Sequence, residues 1–599
     1  MANTPKLINR SALNWLNWGG SLVTLFIWSN LHDPFNAPKS WVLSIAGFWL
    51  FGWVVFQIKD QWKVAPLKGA TVIAGAYLLV MSIDFIVGNN KYISFFGEYQ
   101  RRTGYISYTL LIVFFLAASY LVRLENIERL EIAILTTGFL TAVYGFFQHF
   151  KIDFIHWNNQ YNPVISTLGN PDFAAAAMSI FLIISFGISI QSKNHLWLRV
   201  FAGFNTVLLF IVIIFSQVRQ GLITSVLGII IILIIWLYQK QKYLSYGLSL
   251  VTLLVGIVSI LGMLNKGPFI KFFYKSSVTF RGDYWRAGWR MFVHHPIFGV
   301  GLDRYGAYFR QYRDATQSLR RGPGLVSNAA HDIPIQLAAT GGILLLLAYV
   351  ALTIFIAIRG LIALKRTQGA QQILVGTIFA AWIAYLAQSL ISIDNLAIAI
   401  WGYILGGAVI GISITSQSST KTKSSTPQRL VSSGLALVFL IISGIFWSEQ
   451  SSSAQLAHLS NPQNQSEAAA YKTISQKPLS FIFKEPTIEV IAAAHLAQIG
   501  DFTDAISVLQ KITDADPRNY DARDFLARIY EYQKDWGSAI SVRLNITKLD
   551  PYNQIILLQL GEDYKSSGDI SSAKGTIALI NAFAPDTSEA KQALKDFGK

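Results

Sequence analysis

Three short stretches of this chain combine positive charge with backbone features that bring charge close to a reacting group. Arg219 sits in Ser216-Gln-Val-Arg-Gln-Gly221, a tight turn between two strongly apolar runs. The second stretch runs from Arg281 through Trp285 to Arg290, continues into His294-His295-Pro296, and ends at Gly299 and Gly301. The third is Ser327-Asn328-Ala-Ala-His331-Asp332-Ile-Pro334. Guanidinium groups give paired, charge-assisted hydrogen bonds to phosphate oxygens, and glycines let backbone approach a ligand. Asp332 reads as an N-cap and Pro334 as a first-turn residue, so His331 opens a helix whose N-terminus favours anions. The alternative for Arg219 is a snorkelling side chain that anchors a helix end, and a lone histidine is more often structural. Three such features on one face weigh against the blander reading.

The elements that must hold these residues are membrane spans. Apolar runs near twenty residues recur up to about residue 450, each long enough to cross about 30 Å of hydrocarbon. Thirteen are expected, near 14–31, 40–58, 68–88, 104–122, 130–149, 173–191, 197–216, 221–239, 243–264, 342–360, 372–391, 395–414 and 430–448. The first reads as a retained span, because no small-residue cleavage site follows it. Lys and Arg in short loops resist translocation, and with the N-terminus inside they number seventeen on the cytoplasmic side and six on the other. This orientation puts residues 265–341 and everything after 450 outside the cytoplasm. The 265–341 loop is basic, with eleven Lys and Arg against three Asp between Lys266 and His331. Either it attracts phosphate-bearing lipids beside the bilayer or it is a solvated loop that carries charge.

Charge divides the chain further. Before residue 451 there are 34 Lys+Arg and 15 Asp+Glu; from there on there are 15 and 18. The basic excess therefore belongs to the membrane part, and nothing in it points to nucleic acid. The chain has no cysteine, which rules out disulfide staples and thiolate metal sites. The acidic tail has an internal period: Asp501, Asp535 and Asp569 lie 34 apart, as do Ala505, Ala539 and Ala573, and Pro517, Pro551 and Pro585. A small residue at a helix crossing and a proline closing each unit resemble the tetratricopeptide repeat. Such an array binds a partner segment or caps the membrane part. The expected organisation is all-α: a membrane helical bundle at 1–450 and an α-solenoid of tetratricopeptide type at 466–599.

Taken together, the arginine at a turn, the Arg281-to-Trp285 segment running into Pro296, Gly299 and Gly301, and His331 with Gln336 and Gly341-Gly342 downstream resemble the O-antigen ligase superfamily. That superfamily includes polysaccharide polymerases and protein O-oligosaccharyltransferases. Two upstream stretches agree, Gly97-Glu-Tyr-Gln-Arg101-Arg102-Thr-Gly104 and Leu168-Gly-Asn-Pro-Asp172-Phe-Ala174. The resemblance covers about residues 10–450 and departs where Asp332 stands in place of the usual asparagine. It implies a multi-pass protein of the bacterial inner membrane that moves a glycan from a polyprenyl-diphosphate carrier to a lipid, glycan or protein acceptor at the exoplasmic face. His331, Arg281 and Arg219 are the implied catalytic residues; Arg101, Arg102, Trp285, Gly299, Gly301 and Asn328 are the implied substrate-binding ones. No metal or cofactor is implied, because arginines neutralise the diphosphate and no carboxylate cluster suits Mg²⁺. A protein partner is expected at the repeats. A transporter of lipid-linked substrates is the competing class, but the halves show no internal repeat and the notable charges lie at one surface rather than mid-span.

Overall fold

The computed structural model describes residues 4–155, 157, 164–268, 270–273, 276–414, 426–459, 462 and 465–598, and the basic residues Lys275, Lys421, Lys423 and Lys599 lie outside this set. Among the described residues all regular structure is helical. The first ten helices are α1 (Thr4–Leu25), α2 (Asn36–Gln61), α3 (Ala65–Val87), α4 (Lys91–Phe96), α5 (Tyr105–Leu121), α6 (Glu128–His149), α7 (Pro171–Ile190), α8 (Leu196–Phe215), α9 (Arg219–Lys240) and α10 (Lys242–Met263). Four short or amphipathic helices follow, α11 (Ile270–Phe273), α12 (Ser276–His294), α13 (Tyr305–Tyr312) and α14 (Ala315–Arg321). The chain then returns to long apolar helices, α15 (Ile333–Arg366), α16 (Gly369–Ser389), α17 (Leu396–Ile412) and α18 (Thr426–Ala454). Ten helices are long and apolar enough to cross a membrane, and α5 and α17 are shorter apolar helices. A helix stands at each of the thirteen expected positions. The first lies earlier than the expected 14–31 because Asp33 accepts from the backbone N–H of Asn36 at 2.9 Å and of Ala37 at 3.1 Å, starting α2 there.

The bundle is built around α17, every residue of which is buried. Its Gly402, Gly406, Gly407 and Gly411 are spaced as small residues are in packed membrane helices. A Cβ at Gly407 would lie 2.2 Å from the carbonyl oxygen of Phe115, so α5 rests backbone against backbone on α17. By contrast α10 leans on α9 and buries little more than Ser245 and Gly262.

The loop between α10 and α15 has a small core of its own. Ala287 and Met291 of α12 pack with Tyr305 and Phe309 of α13 and with Ala330 and Ala339. This core is bolted to α15 at a break in that helix. Gly342 has φ +67°, and the segment Pro296–Gly301 lies in the gap: Val300 N–H donates to Ala339 O at 2.9 Å, Gly301 N–H to Thr340 O at 3.0 Å, and Ile343 N–H to Pro296 O at 2.8 Å. The break frees backbone groups and the loop satisfies them, as buried irregular backbone requires. The backbone that closely approaches Gly299 is thus that of α15, with a Cβ there 2.4 Å from the Thr340 carbonyl carbon. Gly299 and Gly301, the glycines expected beside a ligand, sit where the loop meets α15.

After α18 come α19 (Gln465–Gln476), α20 (Pro486–Gln498), α21 (Phe502–Ala515), α22 (Tyr520–Tyr532), α23 (Trp536–Leu549), α24 (Gln554–Ser567), α25 (Ile570–Asn581) and α26 (Ser588–Phe597). The 34-residue period is structural. Asp501, Asp535 and Asp569 are the N-caps of α21, α23 and α25, and Ala505, Ala539 and Ala573 are fully buried where neighbouring helices meet.

Candidate functional site

Four chain segments converge on His331. The first is the loop 97–104, which turns back on itself so tightly that a Cβ at Gly97 would lie 2.4 Å from the backbone nitrogen of Thr103. The turn faces Arg101 and Arg102 in different directions. Arg101 is buried, hydrogen-bonded to the side-chain oxygen of Asn328, and lines the same cavity as His331. Arg102 instead donates to Glu485 Oε2 at 2.8 Å, with both side chains almost wholly buried. Arg102, expected among the substrate-binding residues, is thus engaged with the C-terminal helices in this structure. Asn328 holds Arg101 in place.

The second and third segments are α12 and the end of α14. Arg281 lies 4.0 Å from Asp172 at the start of α7, and Trp285, one turn on, has its indole N–H directed at the carbonyl of His331 at 3.4 Å. Arg321 closes α14; its guanidinium lies 4.0 Å from the Phe280 ring centre and is hydrogen-bonded to the Tyr284 hydroxyl. The Tyr284 ring in turn lies 5.1 Å from that of His331. Neither Arg321 nor Tyr284 stood out in the sequence, because nothing in their spacing distinguishes them from other loop residues.

The fourth segment is the start of α15. Asp332 caps the helix, accepting from Ile335 N–H at 2.8 Å, and Pro334 occupies the first turn. Gln336 accepts from the Ala330 N–H at 2.8 Å and so fixes the approach to His331, whose φ of +56° is unusual for a residue other than glycine. Burial lowers the His331 pKa to about 3, assisted by the positive charges of Arg101, Arg281 and Arg321, so the imidazole is neutral. Three carboxyls line its cavity, Asp303, Asp332 and Asp394, and burial raises all three. Asp332 rises to about 6 and Asp394, in the α16–α17 turn, to about 7, although Asp394 accepts from the Tyr108 hydroxyl at 3.0 Å.

Arg219 is the first residue of α9. A Cβ at Gly221 would lie 2.7 Å from that of Ala175, which sets the first turns of α9 and α7 side by side. Arg219 therefore opens the helix beside the one that carries Asp172, the carboxylate nearest Arg281.

Two spaces adjoin this cluster. One is a small cavity of about 30 Å³ lined by His331 and Arg101, partly open and roomy enough for water. The other is an open groove of about 660 Å³ between the end of α10 and α12, lined by Leu264, Gly282, Trp285, Trp289, Arg290 and Ile335. Trp285 lies at the boundary between them.

Helices long and apolar enough to cross a membrane, with arginines, a neutral histidine and an aromatic groove brought together beside one of them, define a multi-pass membrane protein with a candidate site of its own. Residues 204–350 match the family model described as O-Antigen ligase. Over that stretch, about a quarter of the chain, the protein resembles the O-antigen ligase family of ligase- and glycosyltransferase-type membrane enzymes. The matched stretch includes Arg219, Arg281, Trp285 and His331. No curated protein matches the chain.

Proposed function

We propose that this protein transfers a glycan from a polyprenyl-diphosphate carrier to a hydroxyl acceptor at the outer face of a bacterial inner membrane, in the manner of an O-antigen ligase. The observation that supports this most is the presence of three guanidinium groups close enough to His331 to depress its pKa, two of them, Arg281 and Arg321, on the loop. Departure of a diphosphate leaves negative charge, which preorganised arginines in a buried site stabilise strongly. Arg281, Arg321 and Arg101 form the clamp, with Arg219 at the neighbouring helix start as a fourth member.

The acceptor oxygen attacks the anomeric carbon as the bond from that carbon to the diphosphate oxygen breaks. The leaving group departs as polyprenyl diphosphate, and the product has inverted configuration. His331 accepts the hydrogen bond of the acceptor hydroxyl and orients it. An imidazole with a pKa near 3 is a weak base, but bound diphosphate offsets the arginine charges and raises its basicity, so proton removal is coupled to donor binding. The Trp285–Trp289 groove, continuous with the lipid-exposed end of α10, suits the isoprenoid chain or the sugar rings of the donor.

A protein oligosaccharyltransferase or a polysaccharide polymerase is the alternative within the superfamily. The test is to supply purified protein with labelled carrier-linked glycan and each acceptor class in turn. Transfer to a lipid acceptor supports the ligase reading; transfer only to protein, or only to further carrier-linked glycan, replaces it.

A further inference from the structure

Besides Arg281, six of the loop's arginines are paired with carboxylates. Arg286, Arg290 and Arg320 pair with Asp283 and Asp314 inside the loop. Arg304, Arg310, Arg313 and the neighbouring Ser318 turn to the C-terminal array instead. Arg304 grips Asp516 with two hydrogen bonds of 2.6 and 2.7 Å. Arg313 and Arg310 reach the two oxygens of Asp550 at 2.7 and 3.2 Å, with Arg313 and Asp550 fully buried. Asp516 and Asp550 are one repeat apart, each immediately before a repeat-closing proline, Pro517 or Pro551. The loop's arginines thus read the array at its own period. The third equivalent position is Ala584, which offers no carboxylate. Ser318 Oγ adds a hydrogen bond to Tyr552 O at 2.5 Å, and Arg518 of the array donates to Gln311 at 2.6 Å and stacks on Tyr308, 3.6 Å from its ring centre.

The same arginines also reach toward the site. Arg310 and Arg313 donate from Nη1 to the carbonyl of Pro323 at 3.1 and 3.0 Å. Pro323 lies two residues after Arg321 and five before Asn328, which holds Arg101. A continuous chain of hydrogen bonds therefore runs from Asp550 through two guanidiniums to the strand of backbone that delivers Arg321, Asn328 and His331.

We propose that Asp550 is a positioning residue for the transfer site, and that the C-terminal array is the fixed scaffold which sets the 321–331 segment rather than only a recruiting surface. This rests on the glycan-transfer reading above. Removing the Asp550 charge frees the arginines from the array and loosens the segment that carries Arg321. Small misplacements of such groups cost about a hundredfold in rate.

Asp550→Asn in the full-length, membrane-reconstituted protein is expected to lower kcat between about tenfold and a hundredfold and to weaken binding of polyprenyl diphosphate about tenfold. Ser318→Ala, which removes one hydrogen bond and no charge, gives a smaller loss of the same kind and serves where Asp550→Asn fails to fold. Because the chain has no cysteine, Ser318→Cys with Tyr552→Cys provides a clean lock. Its oxidised form is expected to cross-link, to keep activity, and to restore turnover to Asp550→Asn, with the gain lost on reduction. Wild-type kcat and diphosphate affinity in both Asp550→Asn and Ser318→Ala overturn the inference, as does an oxidised lock that stops transfer. A wild-type protein that neither transfers glycan nor binds polyprenyl diphosphate overturns the glycan-transfer reading itself, an outcome distinct from an active wild type with unimpaired variants.

Discussion

At the scale of single residues, the site depends on the charge state of one imidazole. His331 lies below its ordinary value, so from about pH 3 to 6.5 the unfolded chain binds a proton that the folded chain does not, and stability rises with pH across that window. The acid limb of the pH–rate profile caused by His331 accordingly falls well below 6.5. Arg321→Gln removes one of the repelling charges and moves that limb upward, which a pH series on the two proteins measures directly. Arg281→Ala and His331→Ala abolish transfer while leaving membrane insertion intact, and Arg219→Lys also fails where a forked contact to phosphate is needed, as an activity assay on membranes checks. Arg281, Trp285 and His331 were legible in the sequence because each sits in a short local pattern of charge, aromatic and helix-start residues. Arg321, Tyr284 and Asp394 were not, since only tertiary packing brings α14, α12 and the α16–α17 turn to one place. The pairing of Arg102 was not legible for the same reason. Adjacent to Arg101 in sequence, this residue is turned by backbone geometry to a partner 383 residues away.

At the scale of elements, the break in α15 is the main device. The sequence pattern placed the tenth span at 342–360, and Gly342 is where α15, already begun at Ile333, changes direction. Apolar periodicity sees only the part beyond the break; the first turns, which carry the N-cap Asp332, had to be read from capping residues. A Cβ at Gly342 would lie 2.1 Å from the carbonyl oxygen of Ile297, and φ there is +67°. Gly342→Ala therefore costs about 1–3 kcal/mol from backbone strain alone, before the steric clash, and detaches the Pro296–Gly301 segment. A lowered unfolding midpoint together with lost transfer is the expected result. Asp332→Ala loses the cap and about 0.5–2 kcal/mol, read from the same melting curve. The apolar helices and the 34-residue period are both legible in the sequence, because each repeats a pattern over tens of residues.

At the scale of the whole molecule, the basic excess of the loop has a structural use. Taken alone, the loop is a cationic surface, but much of that charge is spent on carboxylates within it and in the array, and the mildly acidic tail is its counterpart. That relation was not legible, since it joins segments more than two hundred residues apart. The pair Arg102–Glu485 makes the same connection near the bundle. Glu485→Gln leaves a buried guanidinium without its counterion and costs about 3–5 kcal/mol, more than a surface pair would. Differential scanning of the variant in detergent is expected to show the drop, and partial restoration by Arg102→Met.

The central claim is that guanidiniums and a neutral imidazole together receive a departing polyprenyl diphosphate. Its most direct measurement is single-turnover transfer from a labelled polyprenyl-diphosphate glycan in proteoliposomes containing wild-type protein or Arg281→Ala, Arg321→Gln or His331→Ala. The account predicts release of polyprenyl diphosphate and an inverted glycosidic product with wild type, and loss of both in Arg281→Ala and His331→Ala with Arg321→Gln reduced. Undiminished transfer by all three variants, or a product that retains configuration, would contradict it.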